Sequence, residues 1–179
     1  MFETKNLIIR ESCWEDLEYF YQWERRPEVT EFFSIRDGQT MEDVVRKFVT
    51  DDNNPQFKQF TILLKAEEGT EPIGRIVLGD IEEGWKAEIW RIYIADTTLR
   101  GKGYGKEAMQ CIMKYCFEEL ALERLYLDHY TGNPAAHLYL SLGFKYEGVL
   151  RKNCRKNGVL YDVHLMSMLK DEYFEQIHK

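Results

Sequence analysis

LRGKGYGKEA, residues 99 to 108, sets three glycines and three cations, Arg100, Lys102 and Lys106, at the head of an amphipathic stretch. The apolar positions that follow, Ala108/Met109, Ile112/Met113, Cys116 and Leu120, recur at helical spacing. Ahead of it, KAEIWRIYIAD reads as a strand. A glycine-rich turn between strand and helix can point successive N–H groups outward while the helix N-terminus adds partial positive charge, a combination suited to a diphosphate. Two familiar phosphate loops do not fit. A G-x-x-x-x-G-K-[ST] loop fails because Gly101 and Gly105 are only four apart and Glu107 follows Lys106, so the metal-binding hydroxyl is missing. A dinucleotide G-x-G-x-x-G fails because position 106 is Lys and three strands come first. What survives is R-x-x-G-x-G over Arg100–Gly105.

Working outward, NLIIRE is a short strand. SCWEDLEYFYQWERRPE reads as a helix with Ser12 as N-cap and Glu15 closing a capping box, ended by Pro27. TMEDVVRKFVTD is a second helix capped by Thr40 and Asp43. FTILLKA and EPIGRIVLGDIEE read as an antiparallel pair, and KAEIWRIYIAD is the third strand in a row. After the glycine loop and its helix come the strand RLYLDHY and the short helix NPAAHLYLSLG, with Asn133 as N-cap and Pro134 at its first position. FKYEGVLRK and VLYDVHLMSML then form strands around KNG. The expected fold is α+β, a mixed and mostly antiparallel sheet of six or seven strands flanked by helices.

A chain of 179 residues, 44% hydrophobic and 31% charged, fits a single domain over residues 1–179. Cys13, Cys111, Cys116 and Cys154 form no C-x-x-C pair, and His129, His137, His164 and His178 lack metal-ligand spacing with them, so no metal is expected. The N-terminus does not read as a signal peptide and no apolar run approaches about 18 residues, so a cytoplasmic, reduced protein is expected. The net charge of −7 disfavours nucleic acid and membrane surfaces and mildly favours cationic small molecules.

The loop at 100–105, together with the later NPAAHLYLSLGFKYEG, resembles the GNAT family of N-acetyltransferases, whose loop has the form [QR]-x-x-G-x-[GA] and whose downstream block reads N…A…LYxxxGFxxEG. The tail EGVLRKNCRKNGVLYDVHLMSMLKDEYF is similar to the branch holding ribosomal-protein N-terminal and spermidine acetyltransferases. The resemblance implies the GNAT fold and acetyl-CoA as donor co-substrate, with transfer of acetyl to a primary amine: a polyamine, a peptide N-terminus or another small amine. A homodimer is compatible with it. The other class of function the residues allow is a non-catalytic acyl-CoA-binding regulatory domain.

By the same resemblance, the backbone of Ile92, Tyr93 and Ile94 holds the pantetheine amides, with the Ile94 N–H facing the acetyl oxygen. Arg100, Gly101, Lys102, Gly103, Tyr104, Gly105 and Lys106 form the diphosphate loop. Tyr139 is the expected acid beside the sulfur. Asn133 precedes it by six residues where the family has seven, so Asn133 either contacts the pantetheine arm or only caps its helix. The loop IADTTLR is one residue longer than is common. Glu88 is the candidate base, with Asp128 and His129 as alternatives. Without a bulge, strand alternation puts Glu88 on one face with Trp90, Ile92 and Ile94. Glu24, Glu28 and Glu31 would favour a cationic acceptor.

Overall fold

The structure is a computed structural model that describes residues 1–178. Among these, β1 (Phe2–Glu3), β2 (Leu7–Glu11), β3 (Lys58–Lys65), β4 (Thr70–Glu82), β5 (Lys86–Ile94), β6 (Arg124–Tyr130), β7 (Lys145–Lys156) and β8 (Val159–Leu169) form one sheet in the order β1-β2-β3-β4-β5-β6-β8-β7. The helices are α1 (Leu17–Trp23), α2 (Pro27–Thr30), α3 (Met41–Asp52), α4 (Tyr104–Lys114), α5 (Ala135–Ser141) and α6 (Lys170–Ile177). The mixed, mostly antiparallel α+β architecture is the expected one. Its eighth strand is β1, whose two residues are too few to show any alternation.

Two apolar cores clamp the sheet. Ala108, Met109, Ile112 and Met113 of α4 pack with Leu125 and Leu127 of β6 and with Tyr173 of α6 in the larger. On the other face, Leu17, Phe20 and Trp23 of α1 meet Val44 and Phe48 of α3. Helix α4 is fixed from its first turn: the Glu107 carboxylate accepts from the Asn6 backbone N–H and side-chain amide, both at 2.8 Å, and from the Thr4 hydroxyl.

Thr40 and Asp43 cap α3 as expected. The first helix begins one residue later than Ser12 and Glu15 suggest: the Cys13 N–H donates to Asp16 at 2.9 Å, and a 3₁₀ turn over Trp14–Asp16 leads into α1. Asp16 wins because its buried carboxylate also gathers Arg10, at 2.6 and 2.8 Å, and the Thr61 hydroxyl at 2.7 Å. Pro27 does not merely end a helix but opens α2, where its missing N–H costs nothing. Helix α6 and the π turn over Tyr115–Glu119 that follows α4 are additional to the elements expected from the sequence.

The centre of the sheet positions the site. Strands β5 and β6 run parallel and pair only at Lys86↔Arg124, Ala87↔Leu125 and Glu88↔Tyr126, and every other neighbouring pair is antiparallel. Beyond Glu88 the two strands part, leaving one edge of β5 unpaired. A bulge lies beside the split: Leu78 pairs with Ile89 and Val77 with Arg91, so Trp90 is an extra residue. It inverts the expected parity. Ala87, Ile89, Ile92 and Ile94 all join the larger core, whereas Tyr93 joins the smaller one, and Glu88 therefore faces away from Ile92 and Ile94.

Candidate active site

A cleft of about 740 Å³ opens where β5 leaves β6. Its walls are Ile92–Ile94, the glycine loop with the start of α4, the segment around Glu28–Phe33, and α5 with Asn133 and Tyr139. The Ala95 N–H donates to the Ile73 carbonyl of β4 at 2.8 Å. Backbone groups alternate along a strand, so those of Ile94 and Ile92 point the other way, into the cleft. The Ile94 carbonyl indeed accepts from Arg100 Nε at 3.1 Å. Tyr93 departs from the expectation for it: its carbonyl is turned to Gly74 of β4, close enough that a Cβ there would collide with it. Its side chain instead enters the smaller core.

In the loop, Gly101 at φ 75° and Gly103 at φ 90° occupy the left-handed region, and a Cβ at either would meet nothing within 4 Å. Conformation, not crowding, requires glycine there. Gly103 immediately precedes α4 and no side chain caps that helix, which leaves its first N–H groups turned to the cleft mouth. Arg100, Gly101, Gly103, Gly105 and Lys106 border the cleft; Lys102 and Tyr104 do not, the first being exposed and the second packed on the larger core. Asn133 both borders the cleft and holds the start of α5, its side-chain oxygen accepting from the Ala135 N–H at 2.9 Å, while Pro134 takes the position just before the helix.

Tyr139 is 7% exposed, packed near Phe144 and His129, and its hydroxyl makes no hydrogen bond among the described residues. Burial, helped by the charge of Asp128, pushes its phenol up to about 12. Glu88 lies outside the cleft lining. Burial first, then the carboxylates of Asp128 and Asp80, push it up to about 7, while hydrogen bonds from Trp90 and Tyr126 oppose the rise. Burial likewise raises Asp128. His129 points to the opposite face from Asp128, with Nδ1 3.0 Å from the Tyr130 carbonyl and its ring stacked on His164 at 5.2 Å. That environment suits a packed imidazole.

Glu24 cannot serve as an acceptor-binding acid. It is 4% exposed and already bound to Arg75 at 2.8 Å, to Arg91 at 3.1 and 3.2 Å and to the Tyr93 hydroxyl at 3.0 Å. Glu28 and Glu31 remain exposed at the cleft. Sequence reasoning missed Phe32 and Phe33 of the cleft wall, which lie where no periodic pattern singles them out. Cys154, read in sequence only as an unpaired cysteine, has its thiol pushed up by burial first and then by the carboxylates of Asp128 and Glu88.

Comparison with known proteins fits this arrangement. The acetyltransferase (GNAT) domain family matches residues 6–145. The uncharacterized N-acetyltransferase p20 of Bacillus licheniformis is 33% identical over 175 residues, 95% of this chain and 96% of that protein. Spermidine N(1)-acetyltransferase of Escherichia coli K12 is 27% identical over 169 residues, 92% of this chain and 86% of that enzyme. In fold, the chain is similar to spermidine N-acetyltransferase from Vibrio cholerae, solved in complex with CoA and spermine, with a TM-score of 0.83, 24% identity and coverage of 96% and 99% of the two chains. The chain belongs to the GNAT family of N-acetyltransferases and is an enzyme of that kind.

Proposed function

We propose that this single domain transfers an acetyl group from acetyl-CoA directly to a primary amine. The observation that carries the reading is the meeting, in one cleft, of the unpaired edge of β5 with the uncapped start of α4. The N–H groups of Ile92 and Ile94 and the Ile92 carbonyl suit the amides of a pantetheine arm, the Ile94 carbonyl being taken by Arg100. The bare turn at Gly101 and Gly103, the helix end and Lys106 suit a diphosphate. Acetyl-CoA, when bound, supplies an activated acyl carbonyl and a sulfur leaving group.

The chain's own groups then have separable tasks. The Ile94 N–H is placed to polarise the carbonyl. Tyr139, near 12, donates a hydrogen bond to a sulfur whose thiol has a reference value of about 8.5; it does not surrender its proton outright. Glu88, near 7, is partly ionised at neutral pH and takes the proton of an amine arriving from the opposite face of the sheet.

A base near 7 suits an α-amine of about 7.8 with little loss, whereas an amine of about 10.4 loses roughly 4.6 kcal/mol to deprotonation at pH 7. The exposed Glu28 and Glu31 favour cationic acceptors all the same, and three relatives are named for spermidine. Spermidine therefore heads a test panel that includes peptide N-termini, aminoglycosides and amino acids. Calorimetry with CoA should show binding, and thiol release should appear with at least one amine. Binding without thiol release on any of them would replace the enzyme reading of this site with an acyl-CoA-binding module; no binding would remove both.

A further inference from the structure

Arg100 opens the R-x-x-G-x-G loop, where its charge would be expected to meet a diphosphate. Two of its three guanidinium nitrogens are already engaged elsewhere. Nε donates to the Ile94 carbonyl at 3.1 Å and a terminal nitrogen donates to the Glu28 carbonyl at 2.8 Å. Ile94 ends β5, at the unpaired edge; Glu28 lies in α2, on the segment that forms the facing wall. One planar fork thus fastens both walls of the cleft. A guanidinium can hold two acceptors at a fixed separation, which an ammonium, a point charge on a flexible stem, cannot.

The rest of that wall is tied from the opposite side. Lys156 Nζ donates to the Thr30 carbonyl at 2.7 Å, the Ser34 hydroxyl lies 2.9 Å from that of Tyr130, and the Asn157 side chain exchanges hydrogen bonds with Asp37 at 2.8 and 3.1 Å. Arg100 alone among these ties comes from the glycine loop. The short α2 it steadies is a single turn, with the Val29 and Thr30 N–H groups donating to the Arg26 carbonyl and the Glu31 N–H to the Pro27 carbonyl.

We propose that Arg100 is a positioning residue whose fork is committed to the Ile94 and Glu28 carbonyls, holding the acceptor-side wall against the end of β5, and is not a ligand of the cofactor's diphosphate. The role of that wall rests on the acetyltransferase reading above; the two carbonyl bonds do not. In Arg100→Lys, hydrogen exchange at the amides of residues 29–33 of the ligand-free protein should quicken by about fivefold or more. CoA affinity by calorimetry should stay within about threefold of wild type, because no phosphate contact is lost. With spermidine, or with whichever panel amine releases thiol, KM for the amine should rise while KM for acetyl-CoA holds.

Exchange at 29–33 that matches wild type would overturn the proposal, and so would a loss of CoA affinity of about tenfold or more. Should the lysine variant fail to fold, Arg100→Gln is read by the same two measurements. Wild-type protein that binds no CoA would sink the acetyltransferase reading, and the exchange data would still decide the role of Arg100.

Discussion

Tyr139 and Glu88 stand on different sides of the split between β5 and β6, and burial favours the neutral form of each. For Tyr139 this keeps the phenol a donor throughout the working pH range. Removing only its hydroxyl, in Tyr139→Phe, should lower kcat by roughly tenfold or more and leave the Kd for CoA nearly unchanged, as single-turnover rates and calorimetry would show. For Glu88 the sign runs the other way on activity and stability. Its value in the folded chain, about 7, lies above the usual 4.5, so the stability linked to it is present below 4.5 and lost as pH rises through 7. Activity needs the ionised form, so kcat/KM should climb over that same interval. Glu88→Gln should flatten the climb and lower the rate above neutrality. It should also raise the melting temperature relative to wild type more at pH 8 than at pH 5, because at pH 8 it removes a charge held near Asp128 and Asp80. A melting difference independent of pH would show that Glu88 is not buried among those charges.

At the scale of elements, the glycine loop and its helix were legible because their chemistry is local: three glycines, a helical apolar stripe and a strand before them suffice. The bulge at Trp90 was not, since its cause lies in the pairing with β4, where Gly79 leaves room for the indole ring. One unrecognised residue was enough to put Glu88 on the wrong face. The two-residue β1 and the split between β5 and β6 were hidden for a similar reason: both are properties of neighbours, not of a segment. Tyr139, Asn133 and the loop glycines could be placed by motif, whereas Phe32 and Phe33 could not. Gly105 offers a test of how far function overrides local preference. It lies inside α4, and a Cβ there would meet Leu138 at an ordinary 3.8 Å. Gly105→Ala should therefore hold or improve the stability of the ligand-free protein, by up to about 1 kcal/mol from helix propensity. The same methyl, set on the cleft wall, should weaken CoA binding. Gly103→Ala should weaken binding and also destabilise, by about 1–2 kcal/mol, since φ 90° suits only glycine without strain. Urea titrations beside calorimetry would separate the two variants.

Across the whole molecule, the layer bearing α1 and α3 is joined to the sheet by charge as well as by apolar packing. Glu24, just past the end of α1, binds Arg75 of β4 and the Arg91 and Tyr93 side chains of β5, and Arg75 also donates to Gln59 of β3. Arg75 is 2% exposed, lies over the Phe20 ring at 4.1 Å and has a buried Nε without a partner among the described residues. In sequence Glu24 was one acid among several beside the acceptor segment, because nothing local marks an ion pair closed across 51 positions. Two arginines held by one carboxylate make the removal of that carboxylate costly. Glu24→Gln should destabilise by about 3–5 kcal/mol, since it leaves two cations without a counter-charge, one of them, Arg75, buried from water. Exchanging Glu24 and Arg75 together for apolar residues of similar volume should cost less than the two single changes added, the mark of a direct coupling in a double-mutant cycle. The pH dependence follows from the same contacts. Against the cost of burial, the two arginines and the tyrosine hold Glu24 below its usual value. Its contribution is thus present above about 4.5 and lost as pH falls through the folded value. Wild type should lose stability on acidification in that range and Glu24→Gln should lose less. Because the network ends where the acceptor segment begins, the variant's KM for the amine should also rise. Equal acid sensitivity of wild type and Glu24→Gln in urea midpoints between pH 3 and 6 would show that the network does not join the two layers.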